Sequence, residues 1–296
     1  MRWWALVEIK LMSACTFEHA QQAWNDGFSG YARDLTMDLS TWLHRCARED
    51  LLPDLSVIAF DGSNPVGFVI SGLREMNGEL VVWNGGTAIA PAYRGQGIGN
   101  LLMEASLQLY RRHGAQLACL EALEDNVQAI KLYEKLGYSV IDKLFSLEKS
   151  GDLILPPLTP DGSYKGEPVR PRDLGGIPFY NHLSPWHCQW QSIQDGEAVL
   201  VKDSKADTVG YALFRREFNE AGQLLGIALY QCEVDAARVD QTGIFQTLLS
   251  HVFSPLSVDC RRHTVNIPAA NAVLLDMLRR AGFETAMTEV HMTQRF

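Results

Sequence analysis

Two segments of this chain align without a gap. Asn126 to Tyr138 (NVQAIKLYEKLGY) and Asn271 to Phe283 (NAVLLDMLRRAGF) share the first asparagine, the late glycine and the aromatic that follows it. Internal similarity of this kind marks a duplicated unit. A chain of 296 residues is long enough for two ordinary domains. The repeat therefore constrains the fold to one architecture used twice, without requiring an activity used twice.

The residues around the repeat read as mixed α/β. In the first half, Val7 to Ser13 suits an opening strand, and Phe17 to Phe28 and Met37 to Glu49 suit helices. Strands at Leu55 to Asp61, Val66 to Leu73 and Leu80 to Ile89 follow, joined by the Gly62-Ser63-Asn64-Pro65 and Asn77-Gly78 turns as a meander. Asn100 to Arg112 reads as helix, Gln116 to Ala122 as strand, Asn126 to Leu136 as helix and Tyr138 to Glu148 as a final strand. A stretch rich in Pro and Gly comes next, with Asp161-Gly162 as its expected exposed turn. The expected domains are 1–150 and 167–296, with 151–166 as linker. In the second half, strands are expected at Ala198 to Lys202, Val209 to Phe214, Leu224 to Gln231 and His263 to Ile267, with one more after Gly282-Phe283. Helices are expected at Gly243 to Phe253 and Asn271 to Arg280. The fold class is α/β (α+β): two tandem domains, each a mixed, mostly antiparallel twisted sheet flanked by helices.

Composition narrows the function. A net charge of −9 argues against nucleic acid as a partner and gives a mild preference for cationic substrates such as amines. The six cysteines are scattered with no C-x-x-C pair, and no H-E-x-x-H occurs, so no metal site is expected. Reduced thiols fit a cytoplasmic protein. The apolar start Trp3-Trp4-Ala5-Leu6-Val7 resembles a leader, but Glu8 and Lys10 interrupt it. No apolar stretch approaches the ~20 residues that span a bilayer, so no membrane partner is expected.

Between an expected strand and an expected helix lies Arg94-Gly95-Gln96-Gly97-Ile98-Gly99. Three glycines before a helix leave a bare backbone whose N–H groups can converge on an anion, at the positive end of the helix dipole. Phosphate or pyrophosphate is the natural guest. A P-loop would need a lysine after the glycines, and none follows; a dinucleotide fingerprint would place its third glycine one position later. What remains is R-x-x-G-x-G.

The run Ile89-Ala90-Pro91-Ala92-Tyr93-Arg94-Gly95-Gln96-Gly97-Ile98-Gly99 resembles the acyl-CoA pyrophosphate loop of the GNAT superfamily of N-acetyltransferases. Asn126 to Tyr138 resembles that family's second signature, in the right order and spacing. The resemblance covers about residues 1–150. It implies acetyl-CoA as donor and an amine, small molecule or peptide, as acceptor. It places the pyrophosphate on the N–H groups of Gln96, Gly97, Ile98 and Gly99, with Gly95 in the same cofactor-binding turn and Arg94 adding charge. It lays the pantetheine arm along Thr87, Ala88 and Ile89, with a strand N–H, that of Ile89, polarising the thioester carbonyl.

Asn126 reads as a helix N-cap or as a cofactor contact, and the two are compatible. Tyr133 shares a helical face with Ala129 and Leu136, which fits a core residue; the resemblance makes it the proton donor to the departing thiolate. Glu121 ends a strand and reads either as a solvated carboxylate or, by likeness to ribosomal-protein alanine N-acetyltransferases, as the general base. Glu75, Glu79 and Glu124 are alternative bases.

The second copy departs from the family's pattern. Asp240-Gln241-Thr242-Gly243-Ile244-Phe245 stands at the glycine turn, so an acid replaces Arg94 and a phenylalanine replaces Gly99. Asn266 stands for Glu121 and Leu278 for Tyr133. Tyr180, Trp186, His187 and Trp190 form an aromatic group that suits a core or an acceptor cleft. These residues lead to an N-acetyltransferase acting by direct attack, with a degenerate second domain; a homodimer stays open. The rival reading is a non-catalytic acyl-CoA sensor or regulatory protein.

Overall fold

The computed structural model describes residues 7–31, 34–155 and 164–296. The leader-like start and the Asp161-Gly162 turn lie outside the described residues. The chain divides into two compact units, Met1–Ile141 with His291–Phe296, and Asp142–Val290. No helix among the described residues is long and apolar enough to cross a membrane.

The first unit runs β1 (Glu8–Leu11), α1 (Phe17–Gly27), α2 (Leu39–Arg48), β2 (Val57–Asp61), β3 (Asn64–Met76), β4 (Glu79–Ile89), α3 (Ile98–Arg112), β5 (Leu117–Leu123) and α4 (Val127–Lys135). The expected strands and helices of this half are all present, within a few residues at each end. Thr16 caps α1 by accepting the His19 N–H, and Asp38 caps α2 by accepting that of Thr41. Strands β1 to β4 pair antiparallel in chain order, and β4 pairs parallel with β5. One face of β3 packs Phe68 against Trp24 of α1, with ring centroids 5.4 Å apart, and the other face meets α3, where the Ser71 and Tyr110 hydroxyls lie 2.6 Å apart. The C-terminal segment adds to this unit beside β5, where the Phe296 N–H donates to the Gln116 carbonyl at 3.2 Å.

One irregularity in β4 shapes the rest. Its register with β3 slips between Asn84 and Gly86, leaving Gly85 as an extra, bulged residue. A bulge bends its strand and sharpens the local twist. The Asn84 side chain accepts from the Gly86 N–H, and Arg45 of α2 donates to the Gly85 carbonyl at 2.8 Å, so the kink is held from two sides. Pairing of β4 with β5 runs from Val81–Leu117 to Trp83–Cys119 and stops there, just before the bulge. Both strands continue past that point, β4 to Ile89 and β5 to Leu123.

The chain leaves the first unit inside β6 (Ser139–Lys149). The second unit contains β7 (Lys165–Val169), β8 (Glu197–Lys202), β9 (Thr208–Phe218), β10 (Leu224–Val234), α5 (Gln241–Val252), β11 (Arg261–Thr264), β12 (Ile267–Pro268), α6 (Ala272–Arg280) and the first part of β13 (Glu284–Arg295). β7 to β10 are antiparallel neighbours, β11 lies parallel to β10, and β6 runs antiparallel to β11. The strand at Lys165 begins within the segment read as linker; its Pro168 and short length give no periodic signal. Arg262 is fully buried and binds carbonyls, among them Gly151 at 2.8 Å and Pro255 at 2.7 Å. Both units thus repeat one plan of antiparallel strands followed by helix, parallel strand and helix.

A Cβ placed on Gly85 would lie 2.6 Å from Cζ3 of the Trp83 ring. Gly85→Ala is expected to destabilise the chain by about 1–3 kcal/mol, the usual cost of overpacking, because the indole must move. Urea unfolding of the variant beside wild type measures it; equal midpoints would contradict the account of the bulge.

Candidate active site

The glycine turn joins a short turn at Pro91–Tyr93 to α3. Gly95 and Gly97 sit at φ of 74° and 85°, the left-handed region that glycine adopts at little cost. Gly97 is the N-cap of α3 and has no side chain to satisfy the first turn. From Gly95 to Gly99, no backbone N–H donates to an acceptor among the described residues. A Cβ at Gly95 or Gly97 would meet nothing within 4 Å, so the space above the turn is open. Five unspent donors at a helix N-terminus, in an exposed turn, fit a pyrophosphate.

Arg94 does a different job from the one its charge suggests. Its Nε donates to the Ile89 carbonyl at 2.9 Å, and its Nη2 to the Gly27 and Ser29 carbonyls at 3.0 and 3.1 Å. It ties the end of α1 to the end of β4. Because these acceptors are neutral, the positive charge beside the turn stays uncompensated by them.

The open edge of β4 follows from the register. The Ala90 N–H donates to the Val66 carbonyl at 2.9 Å, which makes Ala88 and Gly86 the hydrogen-bonded positions facing β3. Thr87 and Ile89 therefore turn their backbone groups the other way, where β4 has left β5. Ala88 faces β3 through its backbone, and its Cβ lies so near α1 that a Cβ on Gly27 would sit 2.9 Å away. The unspent N–H groups of this edge belong to Thr87 and Ile89.

Facing that edge, α4 presents Tyr133. Asn126 is the N-cap of α4: its Oδ1 accepts the Ala129 N–H at 3.2 Å, and its Nδ2 donates to the Tyr31 hydroxyl at 3.1 Å. Tyr133 is buried, packs against Tyr138 and lies beside the Thr87 hydroxyl. Burial pushes its phenol up to about 12, only partly offset by the Thr87 hydrogen bond, so it holds its proton through the neutral range. Tyr31 joins this group with no signal in the sequence beyond being an aromatic in a loop.

Glu121 lies on β5, two residues past the last pair with β4, where the strands have parted. Its side chain is 6% exposed. Oε2 accepts the Trp83 indole N–H at 2.8 Å, and Oε1 lies 3.8 Å from Nε2 of His291. The two contacts come from strands far apart in sequence, and neither Trp83 nor His291 carried a signal. Burial, reinforced by the Glu121 charge, pushes the Cys119 thiol well up and keeps it protonated, which removes it as a nucleophile. The alternative carboxylates lie elsewhere. Glu79 forms a paired contact with Arg295 at the start of β4, about 30 Å of strand from Ile89. Glu75 is exposed next to the Asn77-Gly78 turn, and Glu124 is exposed past the end of β5.

Comparison with known proteins bears on this geometry. The model of the acetyltransferase (GNAT) family matches residues 17–138. N-alpha-acetyltransferase 30 of Schizosaccharomyces pombe is 32% identical over 120 residues, which cover 40% of this chain and 79% of that protein. The chain belongs to the GNAT acetyltransferase family. It is an N-acetyltransferase, and acetyl-CoA is the donor its family uses. A mycothiol acetyltransferase of Corynebacterium glutamicum is 35% identical over 112 residues, 36% of this chain and 37% of the relative. A tandem GNAT protein from the clavulanic acid biosynthesis pathway superposes with a TM-score of 0.60 at 12% identity, covering 98% of each chain, which extends the likeness of fold to both units.

The second unit, which has the same plan of strands and helices, has the corresponding places filled. Asp240 is the N-cap residue of α5, but its carboxylate is bound by the Arg238 guanidinium and the Tyr164 hydroxyl rather than by the helix. Those donors hold it well below the usual carboxylate range. A carboxylate already paired with a guanidinium thus stands at the start of α5, and Phe245 is buried in the core. Asn271 spends its amide on the Cys232 carbonyl at 2.8 Å and on Glu233 at 3.1 Å, so the edge of β10 is covered by a side chain. Asn266 is held by Ser146 and Glu289. Trp186 is fully buried, and Tyr180 packs on Tyr211 in the core of this unit.

Glu233 is half-buried on β10, and its desolvation pushes it to about 7. A carboxyl whose folded value exceeds its unfolded value binds its proton more tightly when folded, so its cost to stability grows as pH rises from 5 through 7. Glu233→Gln is expected to gain stability over wild type at pH 8, by up to about 3 kcal/mol, with the gap closing toward pH 5. Unfolding free energies of both proteins across that range test it; parallel pH profiles would contradict the desolvation of an ionisable Glu233.

Proposed function

We propose that the first unit transfers the acetyl group of acetyl-CoA to a primary amine by direct attack, and that the second unit binds no CoA. The observation that carries this reading is the adjacency of three features: unspent N–H groups from Gly95 to Gly99, the free backbone edge at Thr87 and Ile89, and the protonated phenol of Tyr133, which bonds the Thr87 hydroxyl on a helix whose Leu132 lies against Gly99. Acetyl-CoA supplies an activated thioester. Gln96 to Gly99 would hold its pyrophosphate, and Arg94 would add field without direct contact. The Thr87 and Ile89 edge would align the amide-bearing arm as a further strand, with the Ile89 N–H aimed at the acyl oxygen. Glu121 would take the proton that the amine must lose before attack.

Tyr133 would keep its proton and donate a hydrogen bond toward the sulfur. A phenol near 12 facing a thiol near 8.5 makes complete transfer uphill by roughly 5 kcal/mol in the resting site. Stabilisation of the leaving sulfur by a donated hydrogen bond is thus the larger part of its role. The acceptor is a primary amine. Likeness to an N-alpha-acetyltransferase supports a peptide N-terminus, and likeness to a mycothiol acetyltransferase supports a small molecule.

An amine panel of free-N-terminal peptides and small amines, read by CoA release, tests the activity. Tyr133→Phe is expected to lower kcat about 10- to 100-fold while changing CoA affinity little. Calorimetry is expected to find one CoA per chain. CoA binding with no release across the panel, or two equivalent CoA sites, would overturn the proposal.

A further inference from the structure

Of the two side chains described beside Glu121, Trp83 and His291, the second comes from the segment that follows the whole second unit. The segment His291–Phe296 belongs to the first unit and is fixed at several points. Arg295 makes its paired contact with Glu79, the Phe296 N–H reaches the Gln116 carbonyl, and the Phe296 ring packs edge-on to Tyr110 with the Arg111 guanidinium 5.0 Å above it. Gln294 lies against Gly137, where a Cβ would come within 2.8 Å of its Nε2. His291 and Glu121 are 4% and 6% exposed.

This anchoring sets the carboxylate between two neighbours of different kinds. The Trp83 indole fixes Oε2 with a donor that does not titrate in the working range. The imidazole of His291 faces Oε1 from 3.8 Å, too long for a direct hydrogen bond and within ion-pair range when the ring is charged. A buried carboxylate that must accept a proton needs both its orientation and its charge controlled. We infer that His291 is a positioning residue for Glu121, so that the last six residues of the chain complete the active site of the first unit. The inference rests on the assignment of Glu121 as base. His291 itself touches neither the acyl donor nor the acceptor.

The test uses the full chain. His291→Ala is expected to lower kcat 10- to 100-fold, to leave KM for acetyl-CoA within about twofold, and to melt within a few degrees of wild type. His291→Gln, which keeps an amide near Oε1, is expected to recover part of that loss. Independently of turnover, the ring nitrogen resonances of His291 are expected to move in Glu121→Gln and to stay in Glu75→Gln. Full kcat in His291→Ala beside a crippled Glu121→Gln would overturn the inference alone. Full kcat in both variants would overturn the assignment of Glu121 and the inference with it. If no amine is acetylated, resonances unmoved in Glu121→Gln overturn the inference, and moved resonances support it while the proposed reaction fails.

Discussion

A strand that parts from its neighbour leaves a row of amides and carbonyls in want of partners, and that row is the constraint on which the first unit depends. The bulge at Gly85 turns β4 away from β5 after Trp83. Arg45 and Asn84 hold the turn, and Arg94 ties the far end of β4 to α1. With the kink held from two sides and the far end of β4 tied to α1, the Thr87 and Ile89 edge stays apart from β5. An extended, amide-bearing molecule can pair with it as another strand would.

The second unit shows what happens when the same plan is filled in. Asn126 and Asn271 begin equivalent helices, yet Asn126 caps its helix whereas Asn271 braces β10 through Cys232 and Glu233. Where the first unit presents unspent N–H groups, the second presents the bound carboxylate of Asp240. Retained architecture and altered edges fit a copy kept for shape rather than for binding CoA.

Much of this was legible in the sequence because it was local. The strand and helix of β4 and α3, the glycines between them, and the capping Asn126 all announce themselves within short windows. The bulge did not, since Asn84-Gly85-Gly86 reads equally as a turn or as a weak stretch of strand. The duty of Arg94 did not either: its three acceptors are carbonyls, which every residue carries. β7 gave no periodicity around Pro168. Glu121 could be singled out, but its partners could not, because Trp83 and His291 reach it only once β5 has neighbours from both ends of the chain.

Hydrogen–deuterium exchange of the whole chain with and without acetyl-CoA tests the central claim most directly. The account predicts new protection confined to the β4 edge around Thr87 to Ile89 and to the turn from Gly95 to Gly99, with no change around Cys232 to Glu233 or Asp240 to Phe245. Protection at the second set, or none at the first, would contradict it.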